Sequence, residues 1–400
     1  MRKLIAVLVM LVAVNANGQW VKLTNGSGID TCIFSLASNG STIFAGTYYS
    51  GVYRSTNSGT SWTYSGVGDQ FVHAMTTSGN NTFAGTDDAN VFLTTDYGLT
   101  WTRPNNEQIG LKVLSIYSYG SNIFKGATNG VYMSSNNGTN WVIRTNGIPQ
   151  NGWIVTSLAS IGSNLFACVY GGVYVTTNNG NNWTNINNGI TNNFPRVLKS
   201  AGNDLYYGFW GNFYYSSNSG ANWVLRENGI ANRDIWGLAV SGSNIFAGTN
   251  DSGVFLSTNK GISWAKVNQG LGELIVYDVM IYGNYLFAGT YSSVWRRPLS
   301  ELIGISNIST EIPSANSLRQ NYPNPFNPST NVKFSIVKSG DVKIVVYDIQ
   351  GREVQTLVND RLNAGTYEVI FDGSSLNSGV YFYKMVSEGF METKRMILIK

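Results

Sequence analysis

The stretch TIFAGTYYSGVYRSTNSGTSW, Thr42 to Trp62, decides the fold. It reads as two short strands, the first carrying Phe44, then a Gly/Asn turn that ends on a tryptophan. The aromatic strand returns at Phe83, Phe124, Phe166, Tyr206, Phe246 and Phe287, at spacings of 39, 41, 42, 40, 40 and 41. The turn returns with it, ending at Trp101, Trp141, Trp183, Trp223 and Trp264. Ten or eleven residues ahead of each aromatic another apolar run begins: at Ile33, Val72, Val113, Val155, Pro195, Ile235 and Val276. Each repeat of about forty residues therefore holds about four short strands, the period of a propeller blade.

The chain ends complete the count. The seventh repeat has Phe287 and then Val294-Trp295, but no tryptophan turn follows. The missing piece stands at the N-terminus, where Trp20-Val-Lys-Leu-Thr-Asn-Gly parallels Trp264-Ala-Lys-Val-Asn-Gln-Gly. Trp20 should begin the outer strand of the last blade, whose other strands come from residues 272–297. That pairing closes a ring and leaves no open sheet edge. The expected fold is all-β: a seven-bladed β-propeller over residues 19–299, closed by the N-terminal strand.

Composition narrows the function. Of 400 residues, 12% are charged, about half the usual share, and 45 are Gly, which favours turns and short strands over helices. Net charge is +4 with no Lys/Arg cluster, so no nucleic-acid partner is expected. One histidine, His73, and two cysteines, Cys32 and Cys168, are too few for a four-ligand zinc site. No metal and no cofactor are expected. The cysteines lie in distant repeats, too far apart for a disulfide.

Residues 1–18 read as a signal peptide: Arg2-Lys3, an eleven-residue apolar run Leu4 to Val14, then small residues. The run is too short to span a membrane as a helix. No later stretch reaches 18 apolar residues, so no transmembrane segment is expected.

The turn pattern S/T-x-N/D-x-G-x-S/T/N-W occurs six times in register, from Ser55-Asn57-Gly59-Trp62 to Ser257-Asn259-Gly261-Trp264. It resembles the Asp-box (BNR repeat) motif. In that family the box is structural and lies away from the axis. Its members include sialidases, xyloglucan-cleaving hydrolases, sortilin-type receptors and photosystem-assembly factors, so the resemblance implies the fold and not one function. The sialidase Arg-Ile-Pro signature is absent.

After Leu299 the pattern changes. Residues 300–316 lack the repeat and read as a linker. Beyond them strands alternate with Gly/Asn/Asp turns, the pattern of a small Ig-like antiparallel β-sandwich over 317–400. QNYPNPFNPST, VYDIQGREVQTLV, AGTYEVIFDG, LNSGVYFYKM and FMETKRMILIK together resemble the type A C-terminal sorting domain of the type IX (Por) secretion system. The resemblance covers residues 318–400. It implies a Bacteroidetes-like source, a partner in the type IX machinery, passage through the periplasm, and a secreted or cell-surface location.

Two functions follow. One is a non-catalytic binding protein, expected as a monomer, with a glycan or protein ligand. The alternative is a secreted carbohydrate-active hydrolase, glycosidase- or sialidase-like, which needs two carboxylates about 5–10 Å apart. Its catalytic candidates are Asp234 and Asp278, near inner-strand starts. Asp87-Asp88 reads as a solvated turn, and His73 has no visible partner. For ligand binding one position stands out. Aligning the repeats places Phe34, His73, Leu114, Thr156, Arg196, Trp236 and Tyr277 in one register. The residue before it and the residue two beyond it are apolar in every repeat. A position that varies between constant neighbours either faces the axial channel or its rim, where it could bind a ligand, or takes part in ordinary packing between blades. Phe34, His73, Arg196, Trp236 and Tyr277 are the expected ligand-binding residues.

Overall fold

A computed structural model describes residues 19–400 apart from 24–28, 89, 105–111, 151–152, 192–193, 195, 303–304, 310 and 374–375. The leader expected at 1–18 lies outside the described residues. The chain is all-β, and the one helix among the described residues is the four-residue Leu299–Leu302. Seven antiparallel sheets carry the repeats. Six have four strands. The seventh, built from Val72–Ser78, Asn81–Thr86 and Val91–Thr94, has three, and Thr102 bridges to Leu93 where a fourth would lie.

The first strands of the sheets, from Ile33–Asn39 to Val276–Tyr282, pack each against the next, and the last packs against the first. Val21–Lys22 joins the sheet of Val276–Tyr282, Tyr285–Thr290 and Val294–Pro298, with Val21 opposite Arg296 and Lys22 opposite Trp295. Trp20 occupies the tryptophan position of the boxes. Its backbone N–H donates to Gln269 O (2.9 Å), as Trp264 donates to Asn228 O and Trp223 to Asn188 O. Its indole N–H donates to Val267 O (2.7 Å), as Trp223 does to Ile186 O and Trp183 to Arg144 O. Each such indole pegs its sheet to the preceding one, and Trp20 does this for the last.

The Phe-Ala-Gly-Thr pattern now has a physical account. The aromatic fills the core: Phe44, Phe83, Phe124 and Phe246 are fully buried. The glycine lets neighbouring sheets meet. A Cβ on Gly126 would stand 2.3 Å from Ser115 Oγ and 2.6 Å from Val155 Cγ1. The threonine pins the loop that follows: Thr47, Thr249 and Thr290 hydroxyls donate to Gly51, Gly253 and Ser293 carbonyls.

The boxes are self-contained turns. Ser55 Oγ accepts from Gly59 N and donates to Asn57 Oδ1, which accepts from Ser61 N. The other five boxes repeat these bonds. In the acidic one, hydrogen bonds from the Thr100 hydroxyl and backbone hold the Asp96 carboxyl at about 2.

The C-terminal region has two four-stranded antiparallel sheets around one core that includes Phe334, Ile344, Tyr367, Tyr383 and Leu398. Residues 300–316 are not all linker. Ile305–Ser309 pairs with the Gly365–Asp372 strand. That run is short and lacks turn signals, so only its partner makes it a strand. The Asn321–Thr330 stretch is tied to the last strand. Asn324 Oδ1 accepts from Ile397 N, and Phe326, in the core, exchanges backbone bonds with Ile397 and Ile399. The separated sequence motifs are two sides of one contact.

Candidate functional site

A first strand that starts a sheet must turn its opening residues from the sheet toward the ring axis. Here a β-bulge does this. Ile33 pairs with Thr47 and Ser35 with Gly46, leaving Phe34 unpaired. The same slip leaves His73, Leu114, Thr156, Trp236 and Tyr277 unpaired. Arg196 stands just before the fifth first strand, Val197–Ala201. A bulge re-aims the extra side chain. All seven residues are half-buried and line one axial cavity of about 400 Å³, while Ile33, Val72, Val113, Val155, Ile235 and Val276 before them are fully buried. The variable position and its constant neighbours face different surroundings.

Six of the seven, Tyr277 excepted, also line a wider mouth of about 500 Å³, together with Phe71, Ile154, Tyr170, Phe194, Phe209, Trp210 and Asp234. A chain of ring contacts runs along the wall of the cavity into the mouth. Phe34 stacks on Tyr277 (4.2 Å between centroids), Tyr277 meets Trp236 edge-on (5.0 Å), and the Arg196 guanidinium lies 3.8 Å from the centre of the Trp236 ring.

Two polar groups are set into this wall. Asp234 Oδ2 accepts from the Trp236 indole (2.6 Å) and from Arg196 Nη2 (3.4 Å). His73 stacks on Phe71 and bonds to Asp87, which also pairs with Lys112 at 3.1 Å. The expectations of a partnerless His73 and a solvated Asp87 are thereby corrected. The hairpin brings Asp87, at the end of the next strand, back beside His73. Burial lowers the His73 pKa, and Asp87 opposes part of that shift. Asp278 belongs to the channel wall below. Its carboxylate accepts from Leu36 N in the neighbouring sheet and from its own neighbour Val279 N, and burial pushes its pKa up to about 6.

Asp234 lines the mouth and Asp278 the channel, and each carboxylate already accepts hydrogen bonds from protein groups. The Ser35, Ser115 and Ser157 hydroxyls in the channel donate to carbonyls of the next sheet. Cys32 and Cys168 are free thiols, both pushed up to about 12 by burial. Among the described residues no three His, Cys, Asp or Glu side chains gather as a metal site. The arrangement suits recognition of flat or apolar groups.

Repeat alignment did not single out the rim. Loops joining second to third strands lie at this end of the sheets, and two of them bring Tyr170 and Trp210 to the mouth. Tyr48 N, Asp87 N, Thr128 N, Tyr170 N, Asn250 N and Tyr291 N each donate to the carbonyl two residues before the channel residue of the same repeat. These loops expose Tyr48, Tyr49, Tyr170, Trp210 and Tyr291. The signal was present as aromatics directly after the Phe-Ala-Gly-Thr strand, but only the closed ring gathers them.

Residues 320–400 match the family described as the secretion system C-terminal sorting domain. No curated protein matches the chain in sequence. Among solved structures the chain resembles YCF48 bound to D1 peptide, at 14% identity and TM-score 0.58, over 70% of this chain and 94% of that one. It also resembles the computationally designed Ika8 protein, at 12% identity and TM-score 0.49, over 67% and 96%. PorZ, a surface component of the type IX secretion system of Porphyromonas gingivalis, aligns at 14% identity and TM-score 0.41, over 92% of this chain and 51% of its own. The repeats are thus propeller-like in fold, and the tail marks the chain for export to the cell surface or extracellular space through the type IX machinery. No helix among the described residues is long and apolar enough to cross a membrane.

Proposed function

We propose that this is a secreted or cell-surface binding protein: a seven-bladed Asp-box propeller, closed by its N-terminal strand, delivered by an Ig-like sorting domain after a cleaved leader at 1–18. A glycan or protein ligand docks in the axial cavity and its mouth on Phe34, His73, Arg196, Trp236 and Tyr277. The observation that carries this reading is the bulge repeated in six first strands, which turns half-buried aromatic and hydrogen-bonding side chains into one open cavity. A packing role alone has no need of open cavity walls. Catalysis has no comparable support, since the Asp234 and Asp278 carboxylates each already accept hydrogen bonds from protein groups.

The test is a glycan array and a tiled-peptide array, each probed with the parent protein and the Trp236→Ala/Tyr277→Ala variant. Binding should weaken more than tenfold in the variant while its melting temperature moves little. Undiminished binding in a folded variant would overturn the assignment of the mouth.

A further inference from the structure

The chemistry of the mouth separates the two ligand classes left open above. A sugar ring presents a hydroxyl at nearly every carbon, and each needs a partner once it leaves water. The mouth provides few. Its lining is dominated by Phe34, Phe71, Leu114, Ile154, Phe209 and Trp236. Of its polar groups, His73 is bound to Asp87, and Asp234 is bound through Oδ2 to Arg196 and Trp236; Asp234 Oδ1 and the Thr156 hydroxyl, both buried, lack a partner among the described residues.

Arg196 is different. Its guanidinium is fixed against the Trp236 ring and held by Asp234 through Nη2, yet more than a third of the side chain is exposed. Among the described residues its Nε and Nη1 make no hydrogen bond. A planar guanidinium with a free edge, immobilised beside an apolar pocket, matches a carboxylate attached to an apolar group.

The rim points the same way. Two of its loops expose Asp88 and Asp251, while its exposed aromatic residues are Tyr and Trp: Trp210 is 73% exposed and Tyr49 52%. The residues beside them in the loops are Ser, Gly and Asn, as in Tyr48-Tyr49-Ser50-Gly51 and Trp210-Gly211-Asn212. Rigid amphipathic rings among small polar residues are the composition of surfaces that grip protein chains. Tyr49 holds a φ of +67°, strained for a bulky residue, and rests edge-on against Tyr48 and Phe71.

Resting on the binding reading above, we propose that the ligand is a protein segment. It inserts an aromatic or aliphatic side chain into the mouth and sets a neighbouring carboxylate on the free edge of Arg196, while the rim tyrosines and Trp210 cover the flanking chain.

The test uses the chain from Gln19 to Lys400 and ligand-detected NMR titrations with four probes: N-acetyl-L-phenylalanine, its carboxamide, cellobiose and glucuronic acid. N-acetyl-L-phenylalanine should bind at roughly millimolar strength, as expected for a ligand of its size. The carboxamide should bind about tenfold more weakly or worse, and Arg196→Gln should bring the acid down to the level of the amide. Trp236→Ala should weaken both. Equal binding of acid and amide overturns the carboxylate seat. Cellobiose or glucuronic acid binding in a Trp236-dependent manner, without N-acetyl-L-phenylalanine, overturns the protein-segment inference and leaves the mouth standing as a binding site. No binding by any probe overturns the inference, and the array comparison then decides the site itself.

Discussion

Replacing Trp20 by alanine tests whether the N-terminal strand closes the ring. The indole is 3% exposed and packs with Phe246, Val254, Leu271 and Trp295. Truncating a buried tryptophan to alanine costs about 3–5 kcal/mol. Losing the 2.7 Å bond to Val267 O adds about 1 kcal/mol. It adds no more because Arg297 Nη1 also donates to that carbonyl, at 3.1 Å. The total is about 5 kcal/mol, or about 10 °C in melting temperature at roughly 2 °C per kcal/mol for a domain of this size. Phenylalanine variants separate the parts. Trp20→Phe keeps most of the packing and loses the bond. Trp62, equally buried, has an indole N–H without a partner among the described residues, so Trp62→Phe should be the milder change. Calorimetry and urea titration of the three variants against the parent measure this. A Trp20→Ala protein melting within 2 °C of the parent would refute closure through the N-terminus, and equal losses for the two phenylalanine variants would refute the role of the indole bond.

Gly126→Ala should cost about 1–3 kcal/mol, because its Cβ would press on Ser115 and Val155 where two sheets meet; urea unfolding measures it, and a neutral result would mean that the two sheets part readily at this contact. Asp278 titrates at about 6 in the folded chain against a normal 3.8. Its contribution to stability is therefore full below about pH 4 and falls as the pH rises through about 6. Asp278→Asn should flatten that part of the stability profile between pH 4 and 7, and a profile of unchanged slope would contradict the assignment. A chain ending at residue 299 should keep the ring of sheets but fail to reach the cell surface, as read by protease accessibility and surface labelling; surface display at full-length levels would remove the sorting role from the tail.

Much of this was legible before any tertiary structure, and the reason is locality. The Ser55–Trp62 turn is built from bonds that span at most four residues, so its chemistry is written in consecutive letters. The Phe-Ala-Gly-Thr strand recurs because each copy meets the same neighbour. Trp20 could be matched to Trp264 because both answer the same packing requirement. The varying position at Phe34, Trp236 and Tyr277 was visible as a break in an otherwise constant apolar pattern.

Contacts between distant letters could not be read in that way. His73 acquires Asp87 through the hairpin, and Ile305–Ser309 becomes a strand only because Thr366–Val369 lies open beside it. Asp278 meets Leu36 across the seam between the last first strand and the first, 242 residues apart in sequence. The bulge that aims Phe34 and its counterparts into the channel is a slip in pairing, which exists only between two strands already in register. The aromatic rim needs the loops of four repeats, at Tyr48-Tyr49, Tyr170, Trp210 and Tyr291, to be gathered at one end of the ring. By itself the sequence determined the repeat, its turns, the apolar spacing of its strands and the tail that exports it, because these depend on bonds among near neighbours. The tertiary structure decided the axial cavity, the Arg196–Trp236–Asp234 grouping and the rim, because they depend on where ring closure brings the far ends of separate repeats.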